Sequence, residues 1–262
     1  MNLNTINNSI KTQLRVINAF VLLEFKTMQG DTSLGYLWVL VRTAVMVSTF
    51  LCIKLFIHAK SPHGISPAIF LIAGFGIWHI FSNNVNNTLS AIKSYRGYLS
   101  FPQVTPLDII IARLIVIVVT EVLCAAILIF VFKAIGFKIE FYNYNILLTI
   151  FSIICISFLG IGFGCLVNAF SIYFPFILKI IPIFLRILFF VSGVFFSVSV
   201  LSKKIGTWLL YNPIFHIIEM SRYSLSCSYP IYFDLYYIII FTGTLGVIGL
   251  ILERFSRRKL IC

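Results

Sequence analysis

The sequence has 262 residues, of which 60% are hydrophobic and only 11% are charged. Soluble domains carry about 25% charged residues, so this composition excludes an ordinary water-soluble enzyme. Twenty Lys and Arg residues against eight Asp and Glu give a formal net charge of +12. Because the basic residues lie between long apolar segments, the positive-inside rule and anionic headgroups explain the excess, and no nucleic-acid partner is expected.

The first predicted element is an amphipathic helix over residues 10–28. Its apolar side chains recur every three or four positions, namely Ile10, Leu14, Ile17, Val21, Phe25 and Met28. This pattern is typical of a helix that lies in the membrane interface. A helix packed on the rest of the protein fits the same pattern, and the two interpretations are compatible.

Apolar segments then predict six membrane-spanning helices in one all-α integral membrane domain covering residues 1–262. The approximate spans are residues 36–57, 67–91, 106–135, 146–170, 176–201 and 232–252. A helix needs about 20 apolar residues to cross. An even number of crossings places both termini on one side, and the larger number of Lys and Arg residues there predicts cytoplasmic termini.

The second span is only partly apolar. One side of its second half carries Asn83, Asn84, Asn86, Asn87 and Ser90. Amide groups facing lipid are costly, so this side is expected to face protein or water.

Local signals mark helix starts and close packing. Thr105, followed by Pro106 and by Asp108, predicts a capped helix start. In the fourth span, Gly160 and Gly164 predict close packing against a neighbouring helix. Between the fifth and sixth spans, Asn212 and Pro213 begin a helix too short to cross, which is expected to be re-entrant or interfacial.

Polar residues in the last two-fifths of the chain offer no catalytic or metal site. His216, Glu219 and Arg222 share one helix face, and this spacing favours a local network of hydrogen bonds and ion pairs over a metal centre. Lys179 and Arg186 share a face of the fifth span, where cations are costly. They either line an anionic substrate path, or Lys179 reaches the headgroups while Arg186 pairs internally, with Glu121 as a candidate partner.

Taken in order, these features resemble ABC-2-type polysaccharide export permeases, and most closely the inner-membrane subunit for capsular polysaccharide export in Gram-negative bacteria. The segments that carry the resemblance are Leu34–Trp38, Arg96–Leu99, Val104–Asp108, Ala112–Arg113, Asn212–Pro213 with His216, Glu219 and Arg222, and Leu252–Phe255 with Arg257–Arg258.

The resemblance implies a half-transporter in the bacterial inner membrane. Two copies would form the path for a lipid-linked, acidic polysaccharide, and a separate cytoplasmic ABC ATPase dimer would bind ATP and Mg and hydrolyse the ATP. This chain has no P-loop and is expected to bind no cofactor and to be no enzyme. Periplasmic and outer-membrane polysaccharide export proteins are further expected partners.

The resemblance also implies roles for two sets of residues. Coupling to the ATPase is assigned to Lys93, Ser94, Tyr95, Arg96, Gly97 and Tyr98. The periplasmic gate is assigned to Tyr211, Asn212, Pro213, His216, Glu219 and Arg222.

The substrate path is a separate hypothesis from the residues, because the Asn-rich run Ser82–Ser90 departs from the family pattern. Amide and hydroxyl groups would offer hydrogen bonds to sugar, and the two cations of the fifth span would favour an acidic glycan. These residues are Asn83, Asn87, Ser90, Lys179 and Arg186.

Two alternatives stay open at this level. Export of O-antigen or of a teichoic-acid-type polymer would use the same architecture. A channel or ion-coupled carrier would need no ATPase, although carriers commonly show internal repeats and membrane-buried carboxylates, and here only Glu121 lies deep in a span.

Overall fold

The computed structural model describes residues 3–29, 35–56, 65–94, 98, 103–137, 139, 144–198, 203–226 and 229–261. Regular structure within these ranges is helical, as the composition predicts. The helices in chain order are α1 (Leu3–Gln29), α2 (Gly35–Phe56), α3 (Pro67–Ser94), α4 (Pro106–Ala134), α5 (Ile146–Ser171), α6 (Ile177–Val191), α7 (Lys203–Leu209), α8 (Pro213–Leu225) and α9 (Leu235–Ile261).

Five of the described helices are long and apolar enough to cross a membrane. Their candidate spans are Trp38–Phe56, Pro67–Ala91, Pro106–Ala134, Ile146–Ser171 and Leu235–Phe255. They correspond to the first four predicted spans and the sixth.

The fifth predicted span, residues 176–201, differs from the structure. Helix α6 has 15 residues and ends at Val191. That is about 22 Å of helix, short of the roughly 30 Å hydrocarbon core. The chain turns at Gly193, whose φ is +70°, and a Cβ there would lie 2.5 Å from the Phe215 ring. A continuous helix beyond Val191 is therefore the wrong prediction, because the chain turns back beside α8.

Helix α3 lies at the centre of the molecule. In the apolar 18-residue stretch of its candidate span, 83% of the residues are buried, against 17% in the corresponding stretch of α2. Helix α3 contacts α2, α4, α5 and α8. The prediction that its amide-rich side faces protein or water is consistent with this position. A helix surrounded by protein does not need a long lipid-compatible surface, which explains its short apolar segment.

Glycines bring α5 close to two neighbours. A Cβ on Gly160 would lie 2.9 Å from Asn84 Cβ, and one on Gly164 would lie 2.7 Å from Thr88 Cβ, both on α3. On another side, a Cβ on Gly162 would lie 2.7 Å from the Cα of Gly246 in α9. The predicted close packing through Gly160 and Gly164 is confirmed.

Helix α1 packs along α4 and is longer than predicted. Phe20 is buried, with Ile17 and Val21 partly buried beside it. Leu14, which the predicted apolar stripe includes, is 54% exposed. The side of α1 that packs on α4 is therefore centred on Phe20, which the predicted apolar stripe did not include.

Helices α7 and α8 follow α6 and precede α9 along the chain. The predicted start of α8 is confirmed, since the Asn212 side chain accepts a hydrogen bond from the Ile214 amide and Pro213 is the first helical residue. Helix α8 packs on α3, α5 and α9, and most of its side chains are buried.

Candidate functional site

A polar cavity of about 200 Å³ opens between α2, α3 and α4. Its lining mixes amides, a carboxylate, a guanidinium and an indole, in a part of the molecule where apolar side chains dominate. The lining residues are Trp38, Val39, Arg42, Thr43, His79, Asn83, Asn87, Ile117, Thr120 and Glu121.

Helix α3 contributes three polar side chains to one wall of the cavity. His79, Asn83 and Asn87 are spaced by four residues, which places them on one helix face. Asn83 Nδ2 donates to Glu121 Oε1 of α4 at 3.3 Å. His79 Nδ1 lies 3.5 Å from Glu121 Oε2, within ion-pair distance for a protonated imidazole, but Oε2 accepts no hydrogen bond from the described residues.

Glu121 is therefore a buried and incompletely satisfied carboxylate. The residue is 4% exposed, and only one of its two oxygens accepts a hydrogen bond from the described part of the chain. An ionised carboxylate has about four acceptor positions. The arrangement leaves Glu121 able to accept a hydrogen bond from a group that enters the cavity.

Helix α2 supplies the open edge of the cavity. Arg42 is exposed, and the ion pairs of the described chain, at 4.0 Å or less, do not include it. Trp38, one turn earlier, is 71% exposed. The edge thus presents a cation and an aromatic face, neither of which the sequence analysis assigned to the substrate path.

The predicted path residues lie at three separate places. Asn83 and Asn87 line the cavity, whereas Ser90 Oγ accepts from Arg113 Nη1 at 2.9 Å. Lys179 and Arg186 are exposed on α6. The alternative pairing of Arg186 with Glu121 is wrong, because Glu121 contacts α3 instead.

A second polar group braces the predicted cytoplasmic end. Arg113 of α4 pairs with Glu24 of α1 and donates through Nη1 to the carbonyl of Asn87 at 3.1 Å. One guanidinium thereby ties α1, α3 and α4 together next to the cavity, since Asn87 also lines it.

The capped start of α4 lies near this brace. Asp108 Oδ2 accepts from the Thr105 amide at 2.8 Å, as the predicted capping box requires. Its other oxygen accepts from Gln13 of α1 at 2.7 Å. The cap therefore also holds α1.

The predicted coupling segment is described only in part. Lys93 and Ser94 end α3, and the Tyr98 ring contacts Phe20 of α1, with centroids 5.7 Å apart. Tyr95, Arg96 and Gly97 lie outside the described residues.

The predicted ion network on α8 is present and fully buried. Arg222 Nη1 donates to Glu219 Oε1 and Nη2 donates to the Val194 carbonyl, both at 2.7 Å. Longer contacts of 3.4 Å reach the carbonyls of Phe70 and Phe196. The guanidinium also lies over the Phe70 ring, 3.5 Å from its centroid. Arg222 thus joins α8 to the start of α3 and to the turn after α6.

The remaining Glu219 oxygen is satisfied too. The Tyr229 hydroxyl donates to Glu219 Oε2 at 2.8 Å and lies 2.6 Å from Ser197 Oγ. Burial, and next the negative charge of Glu219, raise the pKa of the Tyr229 hydroxyl above its ordinary value, so that it remains a donor.

His216 lies outside that network, contrary to the shared-face prediction. Its Nδ1 accepts from the Asp234 amide at 3.1 Å. Nε2 therefore carries the proton and donates to the Leu210 carbonyl at 2.8 Å. At the same corner the Tyr237 hydroxyl donates to the Tyr211 carbonyl at 2.6 Å. These contacts join the α7–α8 turn to the start of α9.

Within the described ranges, no group of three or more His, Cys, Asp or Glu side chains could hold a metal ion.

Comparison with known proteins places the chain in a family. A family model described as ABC-2 type transporter matches residues 15–226. The chain is 30% identical to the polysialic acid transport protein KpsM of Escherichia coli, over 94% of this chain and 95% of that protein.

Two further relatives are capsule polysaccharide export inner-membrane proteins. CtrC of Neisseria meningitidis serogroup B is 26% identical, over 95% of this chain and 94% of that protein. BexB of Haemophilus influenzae is 26% identical, over 84% and 82% respectively. The resemblance noted from the ordered sequence features is confirmed, and the chain belongs to the ABC-2 type transporter family.

Proposed function

We propose that this chain is the transmembrane subunit of an ATP-driven exporter that moves an acidic, lipid-anchored capsular polysaccharide across the bacterial inner membrane. The observation that carries the proposal is similarity over nearly the whole chain to proteins named for polysialic acid transport and capsule polysaccharide export. The polar cavity between α2, α3 and α4 supports it, because sugar hydroxyls require hydrogen-bonding groups inside the membrane.

Two copies of the chain form the translocation path. The support is the distribution of cations: Arg42 on α2 and Lys179 and Arg186 on α6 are all exposed. A cation facing hydrocarbon is costly, so these faces turn to water, to an anionic substrate or to the second copy. A path between copies lined by these residues favours an acidic polymer.

The membrane arrangement has six crossings with both termini in the cytoplasm. The fifth crossing contains helix α6, and α7 and α8 enter from the periplasmic side without crossing. The segment Tyr211–Arg222 closes the periplasmic end of the path and faces the periplasmic and outer-membrane export proteins. The excess of basic residues on the side of the termini supports this orientation.

ATP hydrolysis takes place on a separate ATPase dimer, which holds ATP and Mg. Residues Lys93–Tyr98, at the end of α3, dock on it. The brace of Glu24, Arg113 and the Asn87 carbonyl links this end of α3 to α1 and α4, so a displacement of the segment reaches the cavity wall.

Gene deletion in the source strain tests the export function. Surface glycan is expected to disappear while polymer accumulates inside the cell, and unchanged surface glycan would refute it. For the docking segment, the combined replacement of Lys93, Tyr95 and Arg96 by Ala is expected to abolish ATPase co-purification and export. An intact complex with normal export would exclude this segment as the docking site.

A further inference from the structure

We propose that the cavity between α2, α3 and α4 binds one glycosyl unit of the acidic polymer, with Glu121 accepting a hydrogen bond from a sugar hydroxyl and Arg42 pairing with the anionic group. This inference rests on the proposed export function and gives the cavity a specific ligand. It also adds Arg42 of α2 to the cations of α6 that the sequence suggested for charge recognition.

The unsatisfied oxygen of Glu121 is the first support. A buried polar atom that makes no hydrogen bond is costly, and more so when it is charged. Glu121 Oε2 lies within ion-pair distance of His79 Nδ1, at 3.5 Å, but accepts no hydrogen bond within the described chain, and Glu121 lines the cavity. A sugar hydroxyl is a neutral donor that can satisfy it while accepting a hydrogen bond from a neighbouring amide such as Asn83.

Arg42 and Trp38 are the second support. Both are exposed at the cavity edge on α2. A guanidinium recognises carboxylate or phosphate groups through paired hydrogen bonds, and an indole presents a flat apolar face against which the C–H groups of a sugar ring can pack. A carboxylate deep in the cavity and a guanidinium at its edge fit a ligand with hydroxyls at one end and a negative charge at the other.

A larger, apolar cavity provides a contrast. It lies between α4, α5 and α9, has a volume of about 580 Å³ and is lined almost entirely by apolar side chains, among them Ile111, Ile115 and Leu250. Such a surface suits hydrocarbon and offers a sugar few polar partners. The smaller volume of about 200 Å³ limits the α2–α3–α4 cavity to a single unit of the polymer.

The first test uses charge and shape variants in a strain whose export depends on this gene. Glu121→Gln and Arg42→Gln are each expected to lower the export rate about tenfold, the effect of losing one charge-assisted hydrogen bond. Arg42→Lys is expected to restore part of the loss, and Trp38→Ala to lower export severalfold. Phe130→Ala is the matched control for Trp38, because Phe130 is 73% exposed on α4 and lies outside the cavity lining.

The second test detects contact with the polymer. Val39, which lines the cavity, is replaced by photoreactive p-benzoylphenylalanine in cells that incorporate radiolabelled sugar into the polymer. Ile115, in the apolar cavity, receives the same substitution as control. Irradiation is expected to attach labelled glycan at position 39 and not at position 115.

The results separate this inference from the proposed function. Unchanged surface glycan after gene deletion refutes the export function. If deletion abolishes export but the Glu121 and Arg42 variants, with normal ATPase co-purification, export at the wild-type rate, only the glycosyl site is refuted. Cross-linking of lipid without glycan at position 39 also refutes it, since Arg42 then pairs with lipid headgroups.

Discussion

The buried network of Glu219, Arg222 and Tyr229, here called the α8 cluster, and the α2–α3–α4 cavity both contain an arginine and a glutamate. The two regions differ in whether these charged groups have complete sets of partners. In the α8 cluster, Arg222 and Glu219 are both 0% exposed, and both carboxylate oxygens of Glu219 are satisfied. In the cavity, Arg42 is exposed and one oxygen of Glu121 lacks a hydrogen-bond partner within the described chain.

This difference distinguishes a structural ion pair from a binding site. Once a buried pair is complete, it offers no group to a ligand, and it fixes the elements that it joins. Polar groups that open to the outside and have unfilled hydrogen-bonding capacity stabilise a fold poorly, but they can bind a polar ligand. In the proposed gate, Glu219 and Arg222 would therefore hold α8 in place and would not contact sugar directly.

The largest effect is expected from Arg222→Met. Removal of one partner leaves Glu219 as a buried uncompensated charge, which costs about 3–5 kcal/mol. Thermal unfolding of the purified protein in detergent should show a marked loss of stability, or the folded protein should fail to accumulate. The double variant Arg222→Met with Glu219→Gln should recover much of the loss, and a single variant as stable as wild type would contradict the structural role.

A smaller loss of stability is expected from Tyr229→Phe. The change removes the hydroxyl that donates to Glu219 Oε2 at 2.8 Å and costs about 1.5–3 kcal/mol, as for hydrogen bonds to charged groups. The same unfolding measurement applies, with Tyr236→Phe as control because Tyr236 is 81% exposed. Equal losses of stability from the two substitutions would show that the hydrogen bond to Glu219 does not stabilise the fold.

Asn83→Ala should act on export more than on stability. Its amide donates to Glu121 Oε1 at 3.3 Å, and water that enters the open cavity can replace this bond. The expected stability loss is below about 1 kcal/mol, whereas export should fall severalfold. A large stability loss with unaltered export per folded molecule would place Asn83 with the structural cluster.

The smallest effect is expected from Asn86→Ala, the matched control on the same helix. Asn86 is exposed and does not line the cavity. Its replacement should change stability by no more than about 0.5 kcal/mol and leave export at the wild-type rate. A fall in export equal to that of Asn83→Ala would show that the whole amide-rich side acts, and not the cavity alone.

Part of the candidate site was within reach of sequence reasoning. The amide-rich side of α3 pointed to Asn83 and Asn87, and the four-residue spacing of His79, Asn83 and Asn87 could have added His79. Glu121 stood out as a deep carboxylate, but its partner could not be identified, because residues 83 and 121 come together only through the packing of α3 on α4.

The α6 region shows a different limit. Hydropathy continues through Phe195 and Phe196, so composition alone extends the predicted span to residue 201. The chain instead turns at Gly193, where a positive φ and the Phe215 ring require glycine. The carbonyls of Val194 and Phe196 then become acceptors for Arg222, an arrangement that hydropathy cannot reveal.

The sequence by itself determined the membrane class, the all-α architecture, the approximate limits of most long helices, the capped starts of α4 and α8, and the family, because these depend on composition and on interactions between near neighbours. Tertiary structure alone decided which polar groups have all their hydrogen-bond partners and which can still bind a ligand. Hydrogen bonds join groups far apart in the chain, as Arg222 to the Phe70 carbonyl and Asn83 to Glu121. Whether a buried charge has hydrogen-bond partners depends on such contacts, which cannot be predicted from the local periodicity of the sequence.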